Sequence, residues 1–307
     1  PSPSTTGGVV RDVYGREPLR IRGPFLARTL APEGEVYFPA PASLVAPRAG
    51  GLAVLRPDLE SSSASDLSLA LLRPRGGGRY EPTSGYLDTA GIASLLGDEV
   101  DDEELPDELG SVLAEDELLS RETHIGVALE NGRAREGHLF SIQHVRMDDR
   151  RGPLQWVVAC DWGEGETPTA RVQVAMGGRG RQVRAEVVDV GDPIPPAPSD
   201  YPDGRLAVYC ATPAWWPHGW APPVPEGVSL VAAAVDRVAI STKVRGSAAP
   251  RLLWCARAGS VYYLQFPDAS QAQSWAASHH AQSLLESDPD PGARRLGTAG
   301  FSVVFTG

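Results

Sequence analysis

The sequence predicts a β-rich α+β protein. Short runs rich in β-branched and aromatic residues recur from Leu19 to Phe305. Proline (28) and glycine (33) are frequent and scattered, so the chain is cut into many short elements. Only one stretch, Ser270 to Glu286, reads as a clear helix, with Trp275, Ala276, Leu284 and Leu285 as its apolar members. At 307 residues a chain buries roughly three quarters of its unfolded surface. With 42% hydrophobic and 22% charged residues it belongs with folded domains rather than disordered ones.

In chain order, Ser2-Pro3-Ser4-Thr5-Thr6 offers hydroxyl caps to a first helix running through Val13. Such a start is either an ordinary capped helix or an anion site built from outward-pointing N–H groups. Leu19–Leu26 and Glu35–Phe38 read as strands, and Asp98–Glu108 as a solvated acidic loop. Thr123–Leu129 and His138–Arg146 flank Glu130–Gly137, whose Asn131-Gly132 predicts a hairpin. Further strands are expected at Gln155–Asp161, Ala170–Ala175, Arg184–Val190, Leu206–Ala211, Val228–Val235, Leu252–Ala256, Ser260–Phe266 and Phe301–Phe305. Asp192–Pro202 holds five prolines and reads as a linker between residues 1–191 and 192–307.

The formal charge of −11 argues against nucleic acid only until it is mapped. Residues 80–124 carry fourteen acids against Arg121 alone, a segment charge of −13 that leaves +2 on the rest. Arg171–Arg184 holds four arginines and no acid, and Arg237–Arg257 five bases and no acid. Local fields decide polyanion binding, so both windows are candidates. Lys243 is the single lysine; nearly every cation is a planar guanidinium suited to forked phosphate contacts. Cys160, Cys210 and Cys255 are odd in number and widely spaced, which predicts free thiols in a reducing cytoplasm. No run is long enough to span a bilayer, and the polar start is no signal peptide. The absence of an initiator Met leads us to expect residues upstream of Pro1.

No HExxH, Cys/His cluster, Gly-x-Ser-x-Gly elbow or P-loop is present, so neither metal nor cofactor is expected. His124 and His138 flank one loop, either as a facing acid–base pair or as two hairpin side chains without chemistry. Gly177-Gly178-Arg179-Gly180-Arg181 is either a phosphate-approaching loop or a polar hairpin tip. Trp215, Trp216 and Trp220 either stack on bases or dock on the core.

Several segments in one order resemble the third subunit of the type III-B (Cmr) CRISPR effector complex, a RAMP protein. They are PSPST at Pro1–Thr5, GPFL at Gly23–Leu26, VYFPAPASLV at Val36–Val45, and RETHIGVAL with EGHLFSIQHVRM between Arg121 and Met147. GGRGR at Gly177–Arg181, YCATPA with Gly219-Trp220, AGSVYYL at Ala258–Leu264 and AGFSVVFTG at Ala299–Gly307 complete the series. The resemblance implies two ferredoxin-like (RRM-like) RAMP domains with long insertions and a thumb-like β-hairpin around Arg133 and Arg135. Residues 1–191 would form the first domain, its first strand lying upstream of Pro1, and 192–307 the second, ending in a glycine-rich region.

The resemblance also implies a non-catalytic, cytoplasmic subunit. It would hold the 5′ handle of the crRNA and link the large polymerase-like subunit to the backbone RAMP filament, with a small subunit as a further neighbour and no membrane. The RNA contacts expected on this basis are Ser2, Ser4, Thr5 and Arg11; His124, Arg133, Arg135, His138 and Arg146; Gly177, Gly178, Arg179, Gly180 and Arg181; and Trp220, Lys243, Gly297 and Gly300. His124 departs from the family's usual arginine. The alternative is a RAMP endoribonuclease acting on precursor crRNA, with a histidine as base on a ribose 2′-hydroxyl.

Overall fold

The computed structural model describes residues 1–28, 35–48, 51–60, 69–74, 78–97, 112–147, 153–163, 172–177, 182–186, 194–242 and 251–307. It is mixed α+β, with mostly antiparallel sheets and few helices. Four strands form an N-terminal sheet in the order Leu154–Asp161, Arg20–Arg28, Glu35–Pro39, Tyr86–Asp88. Five form a C-terminal sheet in the order Ser229–Ala234, Val261–Gln265, Arg205–Cys210, Val303–Thr306, Gln282–Ser283.

The two sheets share a core because the central C-terminal strands are apolar on both faces, as buried strands must be. Val208 and Cys210 point to one side with Val304, onto Ala272, Ala276, Ala293 and Leu296 of two helices. Tyr209, Val303 and Phe305 point to the other, onto Phe25, Val36, Phe38 and Leu87 of the N-terminal half. Phe38 meets Phe305 edge-on at 5.2 Å, a preferred aromatic geometry. Tyr209 donates its hydroxyl to the Pro39 carbonyl at 2.6 Å. This core therefore runs through both halves of the chain, and residues 194–202 are tied to it as well. Tyr201 is buried with its hydroxyl 3.0 Å from Thr306 Oγ1, and the Pro195 carbonyl lies 2.7 Å from His280 Nε2.

The first helix spans Pro3–Tyr14 and stops at Gly15, whose left-handed φ of 68° lets its N–H reach the Arg11 carbonyl. Three further helices start on aspartate caps. Asp88 accepts from the Gly91 N–H ahead of Thr89–Leu96, Asp268 from Gln271 ahead of Ala269–His279, and Asp290 from Ala293 ahead of Pro291–Thr298. The helix expected over Ser270–Glu286 ends early, at His279. Ala281 adopts φ 57°, Gln282–Ser283 joins the sheet edge, and Leu284 and Leu285 enter the core from beyond the helix.

Burial pushes the Cys160 and Cys255 thiols up to about 12, and Cys210 rises with them. All three are free and act as small apolar groups. Among the described residues no helix is long and apolar enough to cross a membrane.

Candidate nucleic-acid interface

The most exposed element is one long hairpin, Leu119–Glu130 paired with Arg133–Met147. Its turn is two residues, Asn131 and Gly132, both at positive φ (50° and 77°), the geometry Asn-Gly favours. The eight-residue loop expected over Glu130–Gly137 is thus mostly strand. An irregularity between Ala134 and Leu139 absorbs the extra residues. The root is anchored: Leu118, Leu119 and Met147 pack with Leu26, Tyr37, Leu113, Leu154 and Trp156. Beyond it, every residue from Arg133 to Ser141 is exposed.

The arm has two unlike faces, because opposed residues share a side. One carries Ile125, Val127, Leu129, Leu139 and Val145, all exposed apolar side chains. The other carries Glu122, His124, His144 and Arg146, with the exposed Phe140 nearer the turn. Arg146 donates to Glu122 at 3.1 Å, and His124 Nε2 lies 3.5 Å from the same carboxylate. These contacts, the arginine's first, hold the Glu122 carboxyl below its usual range. His124 faces His144, with ring centroids 4.7 Å apart, and not His138, which lies in the irregular stretch. His144 was invisible to spacing because the shifted register decides which histidines meet. Arg133 and Arg135 flank the turn together with Glu130 and Glu136.

A second group forms at the start of the first helix. The Oγ of Ser2 lies 3.0 Å from both Ser4 Oγ and Thr5 Oγ1, and makes no bond of its own to the helix backbone. The strands Val172–Ala175 and Gln182–Ala185 pair beside this helix. Gly177, with φ 67°, sits so close that a Cβ there would lie 3.6 Å from Thr5 Cγ2. Residues distant in sequence are thereby brought together. Gly178, Arg179, Gly180, Arg181 and Lys243 lie outside the described residues, as does the acidic run Asp98–Glu108. Arg11 is at the other end of the helix, paired with Asp12 (3.7 Å) and Glu17 (3.8 Å).

Other expected contacts are placed elsewhere. Gly297 and Gly300 are buried. A Cβ on Gly297 would come within 2.9 Å of Ser283 Oγ, and one on Gly300, at φ 97°, within 2.8 Å of the Gly23 carbonyl oxygen. Both glycines permit close packing, so their surroundings are protein backbone and side chain. Of the tryptophan cluster, Trp216 is core, donating Nε1 to Tyr262 Oη at 3.0 Å. Trp220 is 43% exposed and lies parallel to Tyr262 at 6.4 Å. The more open indole is Trp254, which periodicity alone left undistinguished from a core residue. No cluster of three metal-ligating side chains occurs among the described residues.

The fold resembles chains in two cryo-EM structures. One is of the Type III-B Cmr-beta bound to cognate target RNA, at TM-score 0.51 and 13% identity, covering 99% of this chain and 85% of the other. The second is of the same complex with AMPPnP, state 1, at TM-score 0.51 and 14% identity, covering 98% and 86%. No curated protein sequence matches. The family described as CRISPR-associated protein (Cas_Cmr3) matches over residues 4–306, nearly the whole chain, and the protein belongs to that family.

Proposed function

We propose that this chain is a non-catalytic, RNA-binding subunit of a type III-B CRISPR effector complex, holding the crRNA 5′ handle. The observation that carries the reading, given the family, is the arm: a rooted hairpin that is exposed throughout Arg133–Ser141 and whose turn is flanked by Arg133 and Arg135. The structural relatives come from a complex bound to target RNA, which supports RNA and other subunits as partners. The helix start and Gly177 offer a second hold: Ser and Thr hydroxyls stand beside a glycine that Arg179 and Arg181 follow closely in sequence, a composition suited to phosphate. The apolar face of the arm needs a protein or RNA cover, and we assign the large subunit and the backbone filament as the neighbours that use such surfaces.

The ferredoxin-like reading draws support from the C-terminal sheet. Taken as strands one to four, Arg205–Cys210, Ser229–Ala234, Val261–Gln265 and Val303–Thr306 lie in the order 2-3-1-4, all antiparallel. That is the order of a βαββαβ unit, with a loop over residues 211–228 in place of the first helix. We retain 1–191 and 192–307 as the two units.

Arg133→Glu with Arg135→Glu is expected to weaken binding of handle RNA at low salt, and amide exchange over Glu130–Gly137 is expected to slow on assembly. A polar turn has too few apolar groups to hold itself rigid, so its order must come from partners. Equal exchange in free and assembled protein would count against a guide-covering thumb.

One observation favours the nuclease reading enough to test it. Glu122, His124 and His144 form an acid–base group on the arm, whereas His124 and His138, which the sequence allowed either to face each other or to stand idle, do not face each other. Strand cleavage needs a base on the 2′-hydroxyl and a group on the leaving oxygen. We expect repeat-containing RNA to stay intact with or without divalent metal, in the wild type and in His124→Ala/His144→Ala alike. Site-specific cutting that disappears in the double variant would establish the nuclease.

A further inference from the structure

We propose that the hairpin of Arg237–Thr242 and Arg251–Ala256 is a separate site for unpaired RNA, with Trp254 stacking on a base and Arg237 meeting a flanking phosphate. It goes beyond the handle site and shares with it only the class of ligand.

The two strands pair in register from Arg237↔Ala256 to Thr242↔Arg251. Their inner face is occupied: Cys255 is core, and Val238, Ile240 and Leu253 pack against it. The outer face carries Arg237, Ala239, Ser241, Leu252 and Trp254. Trp254 and Leu252 are each 61% exposed, among the most open large apolar side chains of the described residues. A tryptophan buried in a core or interface removes some 150–250 Å² from water, so an indole left this open offers unused binding surface. Its cross-strand partner is Ala239, too small to cover it.

The Arg237 guanidinium stands over this indole, 5.5 Å from the ring centroid. The nearest acid in sequence, Asp236, is engaged already, by Arg257 at 3.4 Å and by the Arg237 N–H at 2.7 Å. From Arg237 to Arg257 the sequence holds five bases and no acid, within a chain of net charge −11. Charge complementarity therefore selects a polyanion, and an open aromatic face beside a planar cation selects one with unstacked bases. A protein partner fits less well, since the outer face of the two strands carries two large apolar side chains, Leu252 and Trp254, and neither strand carries an acid to pair with a partner's cations. Trp162 shows the contrast. It also has an arginine over it, Arg16 at 5.5 Å, but Tyr14 already stacks on it at 3.5 Å.

The test uses the whole chain and a short oligouridylate lacking any repeat sequence, followed by fluorescence anisotropy. Trp254→Ala is expected to weaken binding about tenfold, the scale of one lost base–aromatic stack. Trp254→Phe should stay within about threefold of wild type, because a ring face remains. Arg237→Glu should weaken binding and lower the salt slope by about one. Oligonucleotides carrying 4-thiouridine should photo-cross-link to the peptide containing Leu252 and Trp254. Affinity of Trp254→Ala within twofold of wild type, or loss of subunit assembly with RNA binding unchanged, would overturn the proposal. Arg133→Glu/Arg135→Glu is measured in parallel with handle RNA. If that variant keeps handle binding while Trp254→Ala loses oligouridylate, the arm is removed from the handle path and this site stands.

Discussion

Phe305→Ala is expected to destabilise the protein by about 3–5 kcal/mol, the cost of removing a large aromatic from a close-packed core. Phe305 is fully buried, with Phe38 at 5.2 Å, Tyr209 at 5.8 Å, His280 at 5.5 Å and Phe25 at 6.4 Å around it. These neighbours come from both sheets, so no single element can relax to fill the space. The imidazole of His280 is fixed by the Thr306 N–H on Nδ1 (3.1 Å), which leaves Nε2 to donate to the Pro195 carbonyl. Because the cluster runs through both halves, the loss should lower one shared thermal transition instead of splitting it. Leu252→Ala is the control; at an exposed position it should change stability by less than about 0.5 kcal/mol. Calorimetry reads both. An unchanged transition in Phe305→Ala would show that the sheets are not coupled through this ring.

The strands were legible because their apolar runs are short and bounded by Pro, Gly, Asn or Asp, and those limits are local. Leu206–Ala211 was expected and Arg205–Cys210 is observed; Gln155–Asp161 was expected and Leu154–Asp161 is observed. Helices were less legible. Pro291–Thr298 contains or adjoins Pro291, Gly292, Gly297 and Gly300, which read as loop punctuation, yet Ala293 and Leu296 are buried and Asp290 caps it. The helix over Ser270–Glu286 was drawn too long because Leu284 and Leu285 are core residues of another local conformation. Only the packing of Ala281 against the sheet separates the two. At the site, Gly177 and the serines of the first helix were each visible, while their contact through Thr5 was not, since it depends on how distant segments pair. The same holds for Trp254. Alternation along a strand puts Leu252 and Trp254 on one face and Leu253 and Cys255 on the other, but which face turns inward is decided by the rest of the core.

Guide binding is expected to respond most strongly to the connection between Val172–Ala175 and Gln182–Ala185. That connection contains Arg179 and Arg181, and its first part is held against the helix start by the approach of Gly177 to Thr5. A hydrogen bond to a charged phosphate contributes about 1.5–3 kcal/mol, so losing two should cost about a hundredfold in affinity at the least. Arg179→Glu with Arg181→Glu adds repulsion to that loss. Each phosphate contact also releases counterions, so the slope of log K against log salt should fall by about two. Replacing the same arginines with glutamine separates the terms: the slope should fall equally, with a smaller drop in affinity. Both variants leave the hydroxyls of Ser2, Ser4 and Thr5 in place, so any binding that remains measures what the neutral end of the helix contributes. A filter-binding salt titration with handle RNA gives all of these values. A slope unchanged from wild type in the glutamate variant would remove both arginines from the RNA path.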